Sequence, residues 1–93
     1  MTRCDDQFTI SGETFRRSWT GDRYDWTSRD GRLVCWCSKR YFDVDRCGVK
    51  RQVHEYNAKL DGYPSTRSWP TLTAAMVASV ISRDAYDKRR AAA

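Results

Sequence analysis

The chain has one histidine, His54, and no glycine-rich run, its five glycines (Gly12, Gly21, Gly31, Gly48 and Gly62) standing far apart. The spacing excludes a phosphate-cradling loop. Nucleophilic or acid–base catalysis would have to be built on His54 alone, which belongs to no motif. Long apolar runs are also missing. The longest uncharged stretch, Ser68 to Ser82, is interrupted by Pro70 and falls short of the roughly 20 apolar residues that a membrane-spanning helix needs. Carboxylates are present but dispersed, with arginines beside them, and nothing in their spacing brings two together for catalysis. The expectation is a protein that is not an enzyme, has no catalytic residues, holds no metal or cofactor and has no membrane partner.

What the chain does contain is enough for one domain. At 93 residues it cannot be divided into two units with a core each. Its 40% hydrophobic and 13% aromatic content is too high for a disordered tail. The formal charge is +5, a balance that by itself points to an acidic or nucleic-acid partner. Its distribution argues the other way over the first 32 residues, where Arg3, Arg16, Arg17, Arg23, Arg29 and Arg32 are matched by Asp5, Asp6, Glu13, Asp22, Asp25 and Asp30. Acids beside arginines repel phosphate, so nucleic acid is disfavoured as a partner. The positive excess lies in Lys39 to Arg51 and in Lys88-Arg89-Arg90.

Phe8 to Ser38 reads as short strands separated by turns. Phe8-Thr9-Ile10 stops at Ser11-Gly12, Thr14 to Trp19 stops at Thr20-Gly21-Asp22, and Tyr24 to Thr27 is joined to Arg32-Leu33-Val34-Cys35-Trp36-Cys37 across Asp30-Gly31, a dipeptide suited to a tight hairpin. Leu33, Cys35 and Cys37 share one face of that last strand and Val34 and Trp36 the other, so both faces are apolar and the strand is expected at the centre of a sandwich. Asp43 to Leu60 is ambiguous: Val49, Val53, Tyr56 and Leu60 recur at helical spacing, while Val49 and Val53 also fit a strand. Asp61-Gly62 and Tyr63-Pro64 mark a turn or loop, and Ser65 to Trp69 could form one more short strand. After Trp69-Pro70, Leu72, Met76, Val77, Val80 and Ile81 fall on one stripe, predicting an amphipathic helix of about 15 residues. The division is thus a β-sandwich over 1–69 and a docked helix with a basic tail over 70–93.

Four cysteines, Cys4, Cys35, Cys37 and Cys47, are many for a small reduced domain and point to disulfides in an oxidising compartment. Zinc is the competing use, disfavoured because Cys35-Trp36-Cys37 has one intervening residue where zinc sites have about two to four. The cysteine plan, with Thr2-Arg3-Cys4 before the first strand, Arg32-Leu33-Val34-Cys35 within a strand and Val44-Asp45-Arg46-Cys47 at the end of a connection, resembles the MAX effectors. These are the avirulence and ToxB-like small secreted proteins of the rice blast fungus and related plant pathogens. The resemblance implies a six-stranded antiparallel β-sandwich of two three-stranded sheets, here carrying an added C-terminal helix, with a Cys4–Cys47 disulfide.

It also implies a secreted, non-enzymatic virulence protein, translocated into host cells, that binds a host plant protein such as an immune receptor or its small metal-binding-type domain. The matching contact strand comprises Thr14, Phe15, Arg16, Arg17, Ser18 and Trp19, expected at a sheet edge of a monomer. Two weaker resemblances give alternatives. Fibronectin type I modules would pair Cys4 with Cys37 and Cys35 with Cys47, and fungal killer toxins would make Asp45 to Leu60 a helix in an α/β fold.

Overall fold

A computed structural model describes residues 6–92. Six antiparallel strands and one helix follow one another along the chain: β1 (Gln7–Ile10), β2 (Glu13–Trp19), β3 (Tyr24–Ser28), β4 (Leu33–Val44), β5 (Lys50–Leu60), β6 (Tyr63–Pro64) and α1 (Leu72–Ala92). The fold is mainly β with a C-terminal helix, as expected, but the strands form one curled sheet in the order β1-β2-β3-β4-β5-β6. Every strand pairs with its neighbours in sequence, so nothing divides the sheet into two layers of three.

Turn chemistry explains this meander. Ser11 and Gly12 turn β1 into β2 with φ of 53° and 77°, and Asp61 and Gly62 turn β5 into β6 with φ of 53° and 87°, the left-handed pair that a two-residue hairpin requires. In the β3–β4 turn the Asp30 carboxylate accepts hydrogen bonds from the Ser28 hydroxyl at 2.6 Å and the Arg32 backbone N–H at 3.1 Å. The β4–β5 turn is organised by Asp45, whose carboxylate accepts the Cys47 and Val49 backbone N–H groups, both at 2.9 Å. This turn settles the ambiguous segment. Lys50–Leu60 is a strand paired with β4 from Val44↔Lys50 to Leu33↔Leu60, with one bulge between Cys37 and Lys39. Of Ser65 to Trp69, Ser65 donates its backbone N–H to the Ala58 carbonyl of β5 at 2.8 Å and Trp69 forms a single bridge to Tyr56.

One face of the sheet receives the helix. Phe15, Leu33, Cys35 and Ala58 from β2, β4 and β5 meet Ala75, Met76 and Val80 of α1, with Ile10, Trp26, Tyr56, Leu60, Trp69 and Leu72 around them. The helix thus belongs to the same core as the strands. The Thr71 side chain caps it, accepting the Ala74 N–H at 3.1 Å, so Pro70 sits just ahead of the cap and outside the helix. The helix is 21 residues long, longer than the expected 15 or so, because it runs on through the charged residues Asp87 to Arg90 and then through Ala91 and Ala92, good helix formers. Its buried face is also rotated from the expected stripe. Ala75, Met76, Ser79 and Val80 are buried, whereas Ile81 is 62% exposed. Small residues at 75 and 79 let the helix lie close to the sheet, and Ser79 satisfies its hydroxyl by donating to the Met76 carbonyl at 2.8 Å.

The expectation that β4 is covered on both faces by strands is corrected by Trp36. Its ring, on the face away from α1, is only 9% exposed, yet its cover consists of the Arg23 guanidinium 4.6 Å and the Lys59 ammonium 5.6 Å from the ring centroid. Long cationic side chains lay their apolar stems and charged ends over the indole in place of a second sheet.

Two arginines clamp the C-terminal half of the helix. Arg83 of α1 binds Glu13 of β2 and Asp30 of the β3–β4 turn, at 2.5 and 3.3 Å, and Arg32 at the start of β4 reaches Asp87 of α1 and Asp61 of the β5–β6 turn, at 2.8 and 2.9 Å. Burial pushes the Glu13 carboxyl up, but hydrogen bonds from Arg83 and the Arg29 N–H and the charge of Arg83 outweigh it and hold the group below its ordinary value. Asp30 is lowered by the Ser28 hydroxyl first, against a burial penalty, with Arg32 and Arg83 assisting. Hydrogen bonds from Arg32 are the main cause of the lowered values of Asp61 and Asp87.

Carboxyls depressed on folding stabilise above their unfolded values, near pH 4, and lose that contribution as pH falls through the folded values. Thermal melts should therefore be flat above about pH 5 and decline below about pH 4. Arg83→Met should cost about 2 kcal/mol at neutral pH, less than the 3–5 of a fully buried pair because both side chains keep some exposure. The cost should shrink at acid pH, where Glu13 and Asp30 protonate in both proteins. An Arg83→Met penalty unchanged by acid would show that the side chain acts through packing alone.

Candidate functional site

Period two divides the six residues of the expected contact strand between opposite faces. Phe15, Arg17 and Trp19 lie on the helix side, with Glu13 before them, and Thr14, Arg16 and Ser18 on the other. Phe15 is fully buried in the core and cannot meet a partner. Nor is β2 a free edge over its first half, since Glu13–Arg16 pair with β1 on one side and Phe15–Trp19 with β3 on the other. Arg17, Ser18 and Trp19 run past the start of β1 and have no β1 partner among the described residues.

That end of β2 carries an ordered aromatic–cation group. The Trp19 ring, 58% exposed, meets Tyr24 of β3 edge-on with centroids 4.9 Å apart. The Arg17 guanidinium lies 4.4 Å above the Tyr24 ring and 5.9 Å from Trp26, and Asp6 fixes it from the other side at 3.0 Å. Two open grooves run along this strand. The larger, of about 630 Å³, is lined by Gln7, Thr14, Arg16, Ser18, Thr27 and Arg29. The second, of about 460 Å³, is lined by Asp6, Arg16, Arg17, Ser18, Trp19 and Tyr24 among others. Neither Arg16 nor Arg29 has an acidic partner among the described residues.

The second prominent surface is marked in the sequence by the positive excess from Lys39 to Arg51. Beyond the bulge, β4 and β5 continue as a hairpin that the helix does not cover, within a molecule 53 Å long. It is exposed from Ser38 through Gln52. Its pairing sorts the side chains: Arg40↔His54, Phe42↔Gln52 and Val44↔Lys50 share one face, which bears no acid, while Lys39↔Glu55, Tyr41↔Val53 and Asp43↔Arg51 share the other. The signal for its turn in sequence was Asp45 to Gly48 between Val44 and Val49, a segment flanked by β-branched residues.

Among the described residues, His54 and the cysteines stand apart from one another. His54 is half-buried against Tyr56, whose hydroxyl lies 3.5 Å from His54 Nδ1. Burial pushes the Cys35 thiol up to about 11, against a lowering hydrogen bond with Ser79, so it is no nucleophile. Cys37 is half-buried and Cys47 is exposed at the hairpin tip, and no disulfide joins any two of Cys35, Cys37 and Cys47. The implied Cys4–Cys47 bond cannot be placed, since Cys4 lies outside the described residues. Among the described residues no three His, Cys, Asp or Glu side chains are grouped to hold a metal ion, and no helix is long and apolar enough to cross a membrane. Comparison of the chain with protein-family models, curated proteins and solved structures finds no match.

Proposed function

We propose that this is a non-enzymatic binding module of the secreted-effector type, which engages a host plant protein through the outer end of β2. The observation that carries the reading is the Arg17–Tyr24–Trp19 group. Tryptophan, tyrosine and arginine are the residues that dominate protein–protein binding energies, especially where they are ordered before binding. Trp19 is exposed here and yet held by Tyr24, so docking it costs little side-chain entropy. One groove brings Arg16 beside Trp19 and the other runs from Arg16 to Arg29, and these cations favour a partner surface with carboxylates around an apolar recess. The strand is the one that the effector resemblance implied, although the contact is made by side chains on both of its faces and not by pairing along a free edge.

An amide chemical-shift titration with a small metal-binding-type domain of a host immune receptor tests this. Shifts should cluster on Arg16 to Trp19, Tyr24 and Thr27, and Trp19→Ala should weaken binding by about 2 kcal/mol or more, the threshold of a binding hot spot. Trp19 lies outside the buried core, so the melting temperature should stay close to that of the parent. Saturable binding with shifts confined to other strands, or undiminished by Trp19→Ala, would refute the assignment of the surface.

A further inference from the structure

The ion pairs of this fold consume its charges unevenly. Asp6, Glu13, Asp25, Asp30, Asp61, Asp84 and Asp87 neutralise Arg17, Arg23, Arg32 and Arg83, all on the body of the molecule. The hairpin is different: Lys39, Arg40, Arg46, Lys50 and Arg51 form no salt bridge among the described residues. On the hairpin, acids stand beside cations only where Glu55 faces Lys39 and Asp43 faces Arg51, and in the Asp45 turn; the face of Arg40, Phe42 and Lys50 bears none.

We infer that the acid-free face of the β4–β5 hairpin binds single-stranded nucleic acid, with Arg40, Lys50 and the adjacent Arg46 on phosphates and Phe42 stacked on a base. Arg40 and Phe42 are one two-residue step apart along β4, about 7 Å, and Lys50 stands on β5 one step further on, opposite Val44. A polymer that repeats an anion and a planar apolar group complements that pattern. Phe42 is 63% exposed, and Lys50 lies over its ring at 5.5 Å. The same sheet face continues through His54 to Tyr56, whose rings meet edge-on at 6.1 Å. Duplex is the poorer fit, because its base faces are already stacked and would leave Phe42 unused. An anionic bilayer is poorer still, because Asp43 and Asp45 stand at the end of the hairpin that would have to enter it.

The test is fluorescence anisotropy with labelled oligo(dT) and oligo(U), a duplex of the same length, and vesicles containing phosphatidylserine. Three phosphate contacts predict a slope of log K against log salt of about −2 for single strands. Arg40→Gln and Lys50→Gln should each reduce that slope by about 0.7. Phe42→Ala should weaken binding by about 5- to 150-fold, the range for loss of one stacked base. All three variants should melt like the parent, because none of these residues belongs to the core. Trp19→Ala should bind oligonucleotide normally, which separates this surface from the β2 surface. Absence of binding at low salt, equal or tighter binding to duplex, binding to the vesicles alone, or affinities unmoved by Arg40→Gln and Phe42→Ala would each overturn the inference.

Discussion

Phe15→Ala is expected to destabilise the protein by about 3–5 kcal/mol, the range for removing a fully buried phenylalanine. For a domain of this size each kcal/mol shifts the melting temperature by about 4–8 °C, so the midpoint should fall by well over 10 °C. The cause is placement. Phe15 lies between Phe8 of β1 and Ser28 of β3 in the register, is fully buried, and shares its cluster with Leu33, Ala75 and Met76. Its neighbours in sequence behave otherwise: Arg16 is exposed and its replacement by Ala should change stability by less than about 0.5 kcal/mol. Calorimetry of the two variants decides whether β2 is divided by period two or presented whole. Equal, small effects at both positions would mean that Phe15 is available to a partner after all.

This alternation shows where the sequence was legible and where it was not. The hairpin turns at Ser11-Gly12, Asp30-Gly31 and Asp61-Gly62 could be read because the left-handed conformation is a local demand, met by a few residue types. The fate of Lys50–Leu60 could not, because Val49, Val53, Tyr56 and Leu60 satisfy helical spacing, and pairing with the distant β4 overrides that local preference. Trp36 misled in another way. An apolar residue on the outer face of a strand implied a second layer, yet Arg23 and Lys59 cover it, which no periodicity reports. For the candidate site, the Thr14 to Trp19 segment followed from the effector resemblance, with Arg16, Arg17 and Trp19 as its charge and aromatic anchor, but its edge position was a property of topology. The basic hairpin was visible as an excess of charge at Lys39 to Arg51 and lacked only the knowledge that the acids elsewhere were already paired.

Deleting Thr71 to Ala93 should abolish cooperative folding, a larger effect than any single substitution. The helix contributes Ala75, Met76 and Val80 to the core, and without them Phe15, Leu33, Cys35 and Ala58 would face water across an open sheet. A lone antiparallel sheet must pack one face to be stable, and the strands here offer no second layer. The deletion also strands the clamp. Glu13 and Asp30 lose Arg83, and Arg32 loses Asp87, so carboxylates held low by those partners become uncompensated. The truncated chain should show no sigmoidal melt, bind a hydrophobic dye and aggregate through its exposed face. Two further measurements guard against a trivial loss of solubility. Met76→Ala in the full chain should cost about 2–5 kcal/mol while retaining a cooperative transition. A synthetic peptide spanning 70–93, added to the refolding truncated chain, should restore the melt, and the peptide carrying Met76→Ala should restore it less well. A truncated chain that melts cooperatively alone, at the temperature of the parent, would show that the sheet is self-sufficient and that the apolar face of α1 is free for another molecule.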